Sequence, residues 1–497
     1  MEMKFIEGTL QCMRPLFGQV HTGEQTQEIR LPDAFPDIGK VLGCWGQVLI
    51  RSKEWRSGSV GATGGVMAWV LYAPEDGTPP RVMDTWIPIQ CRWEVPDAQE
   101  DGVVHLCSAL KELDARSLSA RKMMVRAVVD TYASAMSRQT FSMAAPPQLP
   151  EDVQLLKRSM IAELPLEAGE KQVQLDESFP LPENLPPIHK IVFYSVKPAI
   201  AEQKVLGNRL VFRGQTGVAL SYLTEEGSLH DWQGEFPFSQ FTELDRDYSP
   251  YATAWVSPVM TAMELELADG QLRLRGGMAA QYTVFDRTAM ELVEDAFSPC
   301  RDVEVKTVQL ALPMLLDRLT MELPVEGNLS AETDKIMSVS AYTGYPCLVP
   351  DEVPRLQLDG HFQALSRSPE GQLYCESARF AGELPLPSAQ ENQHYFWLGD
   401  GLHSDISATA AGFCLRESYP VSVQVYSGLP MPMVTELELG ECKEPDADRP
   451  SVILRRAGQE GLWGLAKKCG STVEAIVQAN KLSGEPEEGQ LLLIPIS

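Results

Sequence analysis

The sequence predicts a mainly β protein of tandem antiparallel, sandwich-like repeat modules, followed by a small C-terminal βααβ domain. Three observations lead to this fold class. A segment near Leu31 recurs near Leu181, at an offset of 150 residues. Short apolar runs alternate with turns that contain Gly and Pro. The last fifty or so residues change to the spacing of two short helices between two strands.

The internal repeat begins with a proline-rich segment. Residues 31–40 read Leu-Pro-Asp-Ala-Phe-Pro-Asp-Ile-Gly-Lys, and residues 181–190 read Leu-Pro-Glu-Asn-Leu-Pro-Pro-Ile-His-Lys. Further residues match at the same offset: Gly64 and Gly214, Tyr72 and Tyr222, Glu75 and Glu225, Gly77 and Gly227, and Gln90 and Gln240. Self-similarity at a fixed period indicates one structural unit used more than once. Residues 356–362 resemble residues 210–216, which predicts a third, more diverged copy.

Each copy is expected to form antiparallel strands joined by tight turns. Residues 65–72 form a predicted strand that ends in the turn at residues 74–77. Asp-Gly in this turn, and Glu-Gly in the second copy, supply the positive φ that a tight hairpin needs. Residues 272–275 alternate between apolar and charged, as a half-buried strand does. In this part of the chain, a helix is expected only at residues 152–163, which carry a partial apolar stripe.

These patterns divide the chain into five segments. We expect β repeats at residues 1–150 and 151–300 and a diverged third repeat at residues 301–440. Residues 441–450 are polar and contain two prolines, which is typical of a linker. Residues 451–497 form the C-terminal domain.

The C-terminal domain has clear helix signals. Gly470 is placed to end the first helix, and Ser471 or Thr472 can cap the second. Residues 491–494 are expected to return as a buried strand. A domain this small buries little apolar area, so Trp463 is expected to supply much of its core, with a ligand-stacking face as the alternative.

These residues resemble the LysM domain, a βααβ module. The match rests on the Leu-Trp-x-Leu-Ala core, the Val-x-x-Ile pair, the Asn that ends the second helix and the Gly-Gln-x-Leu-x-Ile-Pro ending. In family members that bind glycan, the loop after the first strand and the loop after the second helix line the groove. The resemblance therefore implies a partner- or glycan-binding site at Gln459, Glu460, Gly461, Leu462, Asn480, Lys481, Leu482 and Ser483.

The repeated unit is similar to the SPOCS domain of endospore-forming Firmicutes. A strand that ends in Tyr is followed by Glu-Asp-Gly or Glu-Glu-Gly and then by a Trp/Phe-containing stretch with Pro. Tandem SPOCS domains before one LysM domain resemble the SipL-type spore-coat morphogenesis proteins. This resemblance implies a non-enzymatic scaffold in the mother-cell cytoplasm, at the forespore surface. It also implies docking onto the coat morphogenetic ATPase or another coat protein through the LysM domain.

Composition excludes several other classes. The net charge is -26, from 42 Lys+Arg against 68 Asp+Glu. Nucleic acids and anionic membranes attract basic surfaces, so neither is an expected partner. The start of the chain has no signal-peptide core, and no apolar run approaches the roughly 18 residues of a membrane-spanning helix. The ten cysteines have no metal or disulfide spacing. We therefore expect a cytoplasmic protein with reduced cysteines.

The motifs of catalysis are also missing from the sequence. The Gly-rich residues 58–65 lack the Gly-Lys-Ser/Thr ending of a phosphate loop, and no HExxH or Gly-x-Ser-x-Gly motif occurs. His394 and His403 flank an aromatic run, which favours packed aromatics over a metal site. We expect no catalytic residues, no metal and no cofactor.

Two alternatives stay open. One is a peptidoglycan-binding protein that grips N-acetylglucosamine chains through the same groove, and the other is a β-rich enzyme. The chain has Gln459-Glu460-Gly461 where LysM domains usually have Gly-Asp-Thr. This difference and the missing export signal place glycan binding second to a protein partner.

Overall fold

This computed structural model describes residues 1–56, 58–95, 102–180, 185–268, 270–330, 335–368, 372–386, 393–399, 406–409, 412–443 and 450–496. Several predicted features lie outside the described residues: the first four residues of the second proline-rich segment, His403 and most of the linker. In the third copy, Gly371 is expected to take the turn role of Gly227, and it too lies outside the described residues. The side chain of His394 lies outside them as well.

The first part of the chain forms two three-stranded antiparallel sheets. After β1 (Glu2–Lys4), the strands are β2 (Ile6–Arg30), β3 (Ile38–Arg56), β4 (Ser59–Pro74), β5 (Arg81–Glu94), β6 (Gly102–Ser119) and β7 (Lys122–Ala145). β3, β4 and β5 form a meander, while β7 lies between β2 and β6. The long first and last strands thus pair with each other outside the meander.

The second part has the same strand order. Its strands are β8 (Gln154–Pro180), β9 (Lys190–Leu206), β10 (Arg209–Leu223), β11 (Leu229–Glu243), β12 (Thr253–Ala268) and β13 (Gln271–Phe297). β9, β10 and β11 form a meander, and β13 lies between β8 and β12. Every pairing is antiparallel.

The third part is a larger sheet with a small one beside it. Its strands are β14 (Val303–Leu310), β15 (Met314–Ser330), β16 (Lys335–Thr343), β17 (Cys347–Val349), β18 (Arg355–Arg367), β19 (Leu373–Pro385), β20 (Gln393–Gly399), β21 (Ile406–Thr409), β22 (Gly412–Ser427) and β23 (Met431–Leu439). The sheet order is β16-β18-β19-β15-β22-β20. β23 pairs with both β14 and the N-terminal β1.

The C-terminal module comprises β24 (Val452–Arg456), α1 (Gly461–Cys469), α2 (Val473–Asn480) and β25 (Leu491–Pro495), with β24 antiparallel to β25. Gly470 ends α1 in the left-handed conformation, as predicted. Thr472 is the cap of α2, because its hydroxyl accepts the Ala475 N–H at 3.1 Å. These two local predictions are confirmed.

The predicted mainly β, antiparallel class is confirmed, but two local predictions are wrong. Residues 152–163 are not a helix, because β8 runs from Gln154 to Pro180 and pairs along its length with β13. Buried side chains such as Leu164 and Leu166 fix this strand, so non-local pairing overrides a weak helical stripe. Residues 491–494 are only half buried, since Leu491 and Leu493 face outward.

The two proline-rich segments make equivalent hydrogen bonds. The Tyr72 hydroxyl donates to the Pro36 carbonyl at 3.1 Å, and the Tyr222 hydroxyl donates to the Pro186 carbonyl at 3.0 Å. Both tyrosine rings are fully buried. Each bond ties the segment before a meander to that meander's central strand. The predicted turns after these strands are confirmed, with φ near 75° at the turn glycines.

In the third part, the adjacent strands β16, β18 and β19 form a third meander, apart from the short β17 that also pairs with β18. Glycines occupy equivalent positions in the central strands of the three meanders. A Cβ atom at Gly64, Gly214 or Gly360 would collide with a carbonyl oxygen of the preceding strand. The oxygens belong to Leu49, Ala199 and Tyr342. Two backbones come so close at these positions that only glycine fits.

Aromatic side chains join the three parts of the body. Trp45 stacks on Phe193 with a centroid distance of 5.2 Å, which joins the first part to the second. Tyr132 stacks on Tyr345 at 4.9 Å and lies 5.0 Å from Trp397, which joins the first part to the third. Buried aromatic pairs add about 0.5–1.5 kcal/mol each beyond their area. The three parts therefore share one packed interior.

Candidate functional site

The first segment of predicted binding residues joins β24 to α1. Gln459 and Glu460 are exposed there. Gly461 begins α1 with a φ of 64°, a left-handed conformation that favours glycine. Leu462 is 5% exposed and belongs to the core of the module. Of these four residues, Gln459 and Glu460 are the ones whose side chains can meet a partner.

The second segment follows α2. Lys481 ends this helix with a φ of 51°, and its N–H donates to the Gln478 carbonyl at 3.3 Å. Lys481 and Ser483 are exposed, whereas Leu482 packs against the module core. The site therefore offers four exposed polar side chains, two from each segment.

Asn480 has a structural role. Its Nδ2 donates to the carbonyls of Ile476 at 2.9 Å and Leu493 at 2.6 Å. Its Oδ1 accepts the Leu493 N–H at 2.8 Å. Both side-chain donors are thus used to tie the end of α2 to β25, which leaves Asn480 little capacity to bind a ligand.

Glu485 brings the two segments together. Its Oε2 accepts the Leu462 N–H at 3.0 Å, in the first turn of α1. The residue before this helix, Glu460, makes no side-chain capping bond. A carboxylate at this position satisfies a free N–H and interacts favourably with the helix dipole. Sequence reasoning missed Glu485, because an acidic residue in a polar loop has no distinguishing spacing.

Trp463 points away from the two loops and toward the β body. Its ring packs edge-on against Phe297, at the end of β13, with a centroid distance of 4.7 Å. Phe297 is 4% exposed and belongs to the same hydrophobic cluster as the module core. Of the two predicted roles of Trp463, this packing favours the core residue over the ligand-stacking face.

Asp295 in β13 fixes the module by two polar contacts. Its carboxylate accepts the Trp463 indole N–H at 2.8 Å and binds the Lys467 ammonium at 2.7 and 2.8 Å. A β-bulge between Val293 and Asp295 interrupts the pairing of β13 with β8 just before this contact. Bulges change the direction of side chains, and this one precedes the carboxylate that meets α1.

A buried polar cluster lies between the first and second parts of the body. The Lys53 ammonium donates to the Val104 carbonyl at 3.0 Å and to Gln281 Oε1 at 2.8 Å, and it pairs with Glu170. Burial lowers the pKa of Lys53 and lowers the pKa of the neighbouring His105 to about 3. The Lys53 ammonium is satisfied at this interface by three oxygens, whereas the buried Nε2 of His105 has no hydrogen-bond partner among the described residues. The contacts of Lys53 are typical of a structural network.

A cleft of about 240 Å³ lies between the second and third parts. It is lined by segments of β9, β12, β15 and β22. One lining side chain, Gln203, accepts the Val256 N–H at 2.9 Å. The lining carries a single carboxylate, Glu202, so no acid–base pair is present there.

Within the described ranges, no cluster of three His, Cys, Asp or Glu side chains could hold a metal ion. None of the helices described is both long enough and apolar enough to cross a membrane.

Comparison with known proteins gives no match: no family model fits the chain, and no curated protein or solved structure is significantly similar to it.

Proposed function

We propose that this chain is a non-enzymatic scaffold or adaptor in endospore coat assembly. Tandem SPOCS-type β repeats would present surface for assembly, and the C-terminal LysM-type module would dock onto the coat morphogenetic ATPase or another coat protein. The protein would act in the mother-cell cytoplasm, at the forespore surface. The observation that carries the docking role is the set of four exposed polar side chains, Gln459, Glu460, Lys481 and Ser483, on two loops that the Glu485 contact with Leu462 holds together.

The proposed repeats are supported by equivalent local geometry. The hydrogen bonds of Tyr72 and Tyr222 join residues 36 positions apart in both copies. Gly360 occupies the same crowded position as Gly214, and each lies opposite a Phe of the next strand, Phe380 or Phe238. Equivalent devices in three meanders favour one unit used three times.

The character of the two loops favours a protein partner over a glycan. Neither loop contains an aromatic residue that could stack on a sugar ring. Trp463 is already used against Phe297 and Asp295. Exposed charged side chains of both signs, Glu460 and Lys481, suit a complementary polar protein surface.

Affinity capture from sporulating cells tests the proposal. The full chain should recover the coat ATPase, and the combined variant Gln459→Ala, Glu460→Ala, Lys481→Ala and Ser483→Ala should lose it. A matched control changes exposed helix residues away from the loops, by Lys468→Ala, Glu474→Ala and Gln478→Ala. Equal recovery by all three proteins would reject the groove as the docking site.

A second measurement addresses the glycan alternative. Purified full chain is mixed with insoluble peptidoglycan and sedimented. We expect the chain to stay in the supernatant. Robust sedimentation that the four loop substitutions abolish would establish glycan binding in place of the proposed docking.

A further inference from the structure

The backbone hydrogen bonds between β24 and β25 define which residues face the partner strand and which face outward. The Ile496 N–H donates to the Ser451 carbonyl at 2.9 Å, and the Ala457 N–H donates to the Gln490 carbonyl at 2.8 Å. In an antiparallel pair, hydrogen-bonded residues alternate with residues that direct their backbone groups outward. Ser451 and Ala457 are both odd-numbered, so the odd-numbered residues of β24 direct their N–H and C=O groups toward β25. The even-numbered residues, Val452, Leu454 and Arg456, therefore direct their N–H and C=O groups away from β25.

The outer edge of β25 is blocked at Leu493 and Pro495. The outward N–H and C=O of Leu493 are both bonded to the Asn480 side chain, at 2.8 and 2.6 Å. Pro495, the next outward residue, has no N–H. No such protection covers β24 among the described residues, where neither a bulge nor a proline interrupts Val452–Arg456. The module therefore has one blocked edge and one open edge.

The open edge adjoins an exposed apolar face. On the side of the ribbon away from the module core, Val452, Leu454, Leu491 and Leu493 are 47%, 60%, 57% and 43% exposed. The register pairs Leu454 with Leu493 directly across the strands, and Val452 with Pro495. Contiguous exposed aliphatic side chains of this kind mark interaction sites.

Two arginines without carboxylate partners lie at the end of β24. Among the described residues, no carboxylate oxygen lies within 4.0 Å of Arg455 or Arg456. Arg456 donates to the Gly489 carbonyl at 3.1 Å, and both side chains are exposed. The charge that complements this end of the strand is negative.

We propose that the open edge of β24 receives an extended strand from a partner protein by β-sheet augmentation. The strand would carry aliphatic side chains at alternate positions, to cover the exposed face, and a carboxylate on its other face, beside Arg455. Main-chain hydrogen bonds to Val452, Leu454 and Arg456 give the affinity, and the alternate side chains give the specificity. This inference rests on the proposed docking role of the module, but it assigns the contact to a strand edge distinct from the two loops.

The probe is a synthetic capped peptide, Thr-Val-Thr-Val-Thr-Val-Glu, added to the purified full chain. Hydrogen exchange is followed by mass spectrometry, and peptide affinity by calorimetry. Two further peptides carry N-methyl groups on alternate residues, so that each loses the donors of one edge only. We expect protection of residues 452–456 and binding by one methylated peptide but not the other.

Two variants locate the contact. Leu454→Pro removes an N–H that the module does not use internally, and we expect about tenfold weaker peptide binding, the scale of one lost hydrogen bond. Leu454→Thr keeps the N–H and should retain backbone protection with weaker binding. The four-residue loop variant should bind the peptide unchanged, although it would lose the ATPase if the proposed function holds. Exchange in α1 and α2 verifies that each variant is folded.

Three results would overturn the inference. One is the absence of protection at residues 452–456 with the peptide. Another is equal binding of the two methylated peptides to the unmodified chain, a comparison that does not depend on whether any variant folds. The third is protection of the same residues that rises with protein concentration alone, because the edge would then be covered by a second copy of this chain.

Discussion

The indole N–H of Trp463 donates to a carboxylate oxygen of Asp295 across 2.8 Å, which links α1 of the C-terminal module to β13 of the β body. The same carboxylate binds Lys467. Phe297, two residues further along β13, completes the hydrophobic core of the module. These contacts attach the C-terminal module to the β body.

Asp295→Ala should weaken the attachment of the C-terminal module to the β body. Trp463 would lose the acceptor of a half-buried donor, at a cost of about 1–3 kcal/mol, and the partly exposed Lys467 contact would add under about 1 kcal/mol. Thermal unfolding and hydrogen exchange in α1 measure the effect. In the Asp295→Ala background, Lys467→Ala should cause almost no further loss of stability, because its partner is already absent. Lys468 is exposed and adjacent, and Lys468→Ala should change stability little in either background.

The opposite result has a clear meaning. If exchange in α1 is the same in Asp295→Ala and the unmodified chain, the module is held by Phe297 packing alone. Phe297→Ala then becomes the decisive variant, with an expected loss of about 3–5 kcal/mol.

Lys481→Gly should stabilise the C-terminal module. Lys481 is the one non-glycine residue with positive φ among the described residues, and glycine adopts this conformation without steric cost. The left-handed conformation costs a non-glycine residue about 1–2 kcal/mol, and the larger entropy of glycine in the unfolded chain offsets part of this. We therefore expect a net gain of about 0.5–1 kcal/mol in the free energy of unfolding, measured by denaturant titration. As a contrast, Lys468→Gly within α1 should cost about 1 kcal/mol. A loss of stability in Lys481→Gly would show that the lysine side chain itself stabilises the cap.

Tyr72→Phe and Tyr222→Phe test the equivalence of the first two parts of the body. Each change removes a hydroxyl that donates to a proline carbonyl and leaves the ring in place. The expected cost is about 1 kcal/mol for each variant, measured as the shift in denaturation midpoint. Tyr194→Phe, a buried tyrosine outside this motif, serves as a comparison. Costs that differ by more than about 1 kcal/mol between the two variants would argue against equivalent roles.

Stability should fall as the pH drops below about 6.5 because of His105. Burial and the Lys53 charge lower its pKa to about 3, while backbone groups of Gly169 and Tyr282 oppose this shift. The unfolded chain binds a proton near pH 6.5 and the folded chain does not. The unfolded state therefore gains protons first, and the loss reaches about 1.4 kcal/mol per pH unit until about pH 3.

Denaturant titrations from pH 7.5 to pH 4.5 measure this slope. Leucine has a volume similar to that of histidine and no titratable group. The free energy of unfolding of His105→Leu should therefore depend less steeply on pH. His21→Leu, at a histidine that is not buried, controls for the general effect of replacing a histidine by leucine. An unchanged slope in His105→Leu would assign the acid sensitivity to other groups.

The sequence predicted features that depend on neighbours in the chain and missed those that depend on distant partners. Gly470 and Thr472 were predictable, because a helix end needs a left-handed residue and a cap needs a hydroxyl. Residues 152–163 were mispredicted as helix, because their conformation is set by pairing with β13, more than 100 residues away. The contact of Asp295 with Trp463 joins two segments that share no pattern.

The candidate site shows the same division. The loop positions followed from the resemblance, but the roles of Asn480 and Glu485 did not. Asn480 bonds to a strand that begins after a long loop, and Glu485 caps a helix that precedes it. A side chain that satisfies a backbone group elsewhere in the chain has no local signature.

The β-bulge beside Asp295 lets β13 carry one residue more than β8 without a change of pairing partners. Val293 pairs with Lys157 and Asp295 pairs with Leu156, so Glu294 is the extra residue. Residues that lie opposite each other in an antiparallel pair share a face of the sheet, so Asp295 and Phe297 keep the faces of Leu156 and Gln154 whether or not Glu294 is present. A residue inserted between Asp295 and Phe297 without a second bulge would instead turn Phe297 to the opposite face. One added codon would thus detach the tail although no existing residue had been replaced.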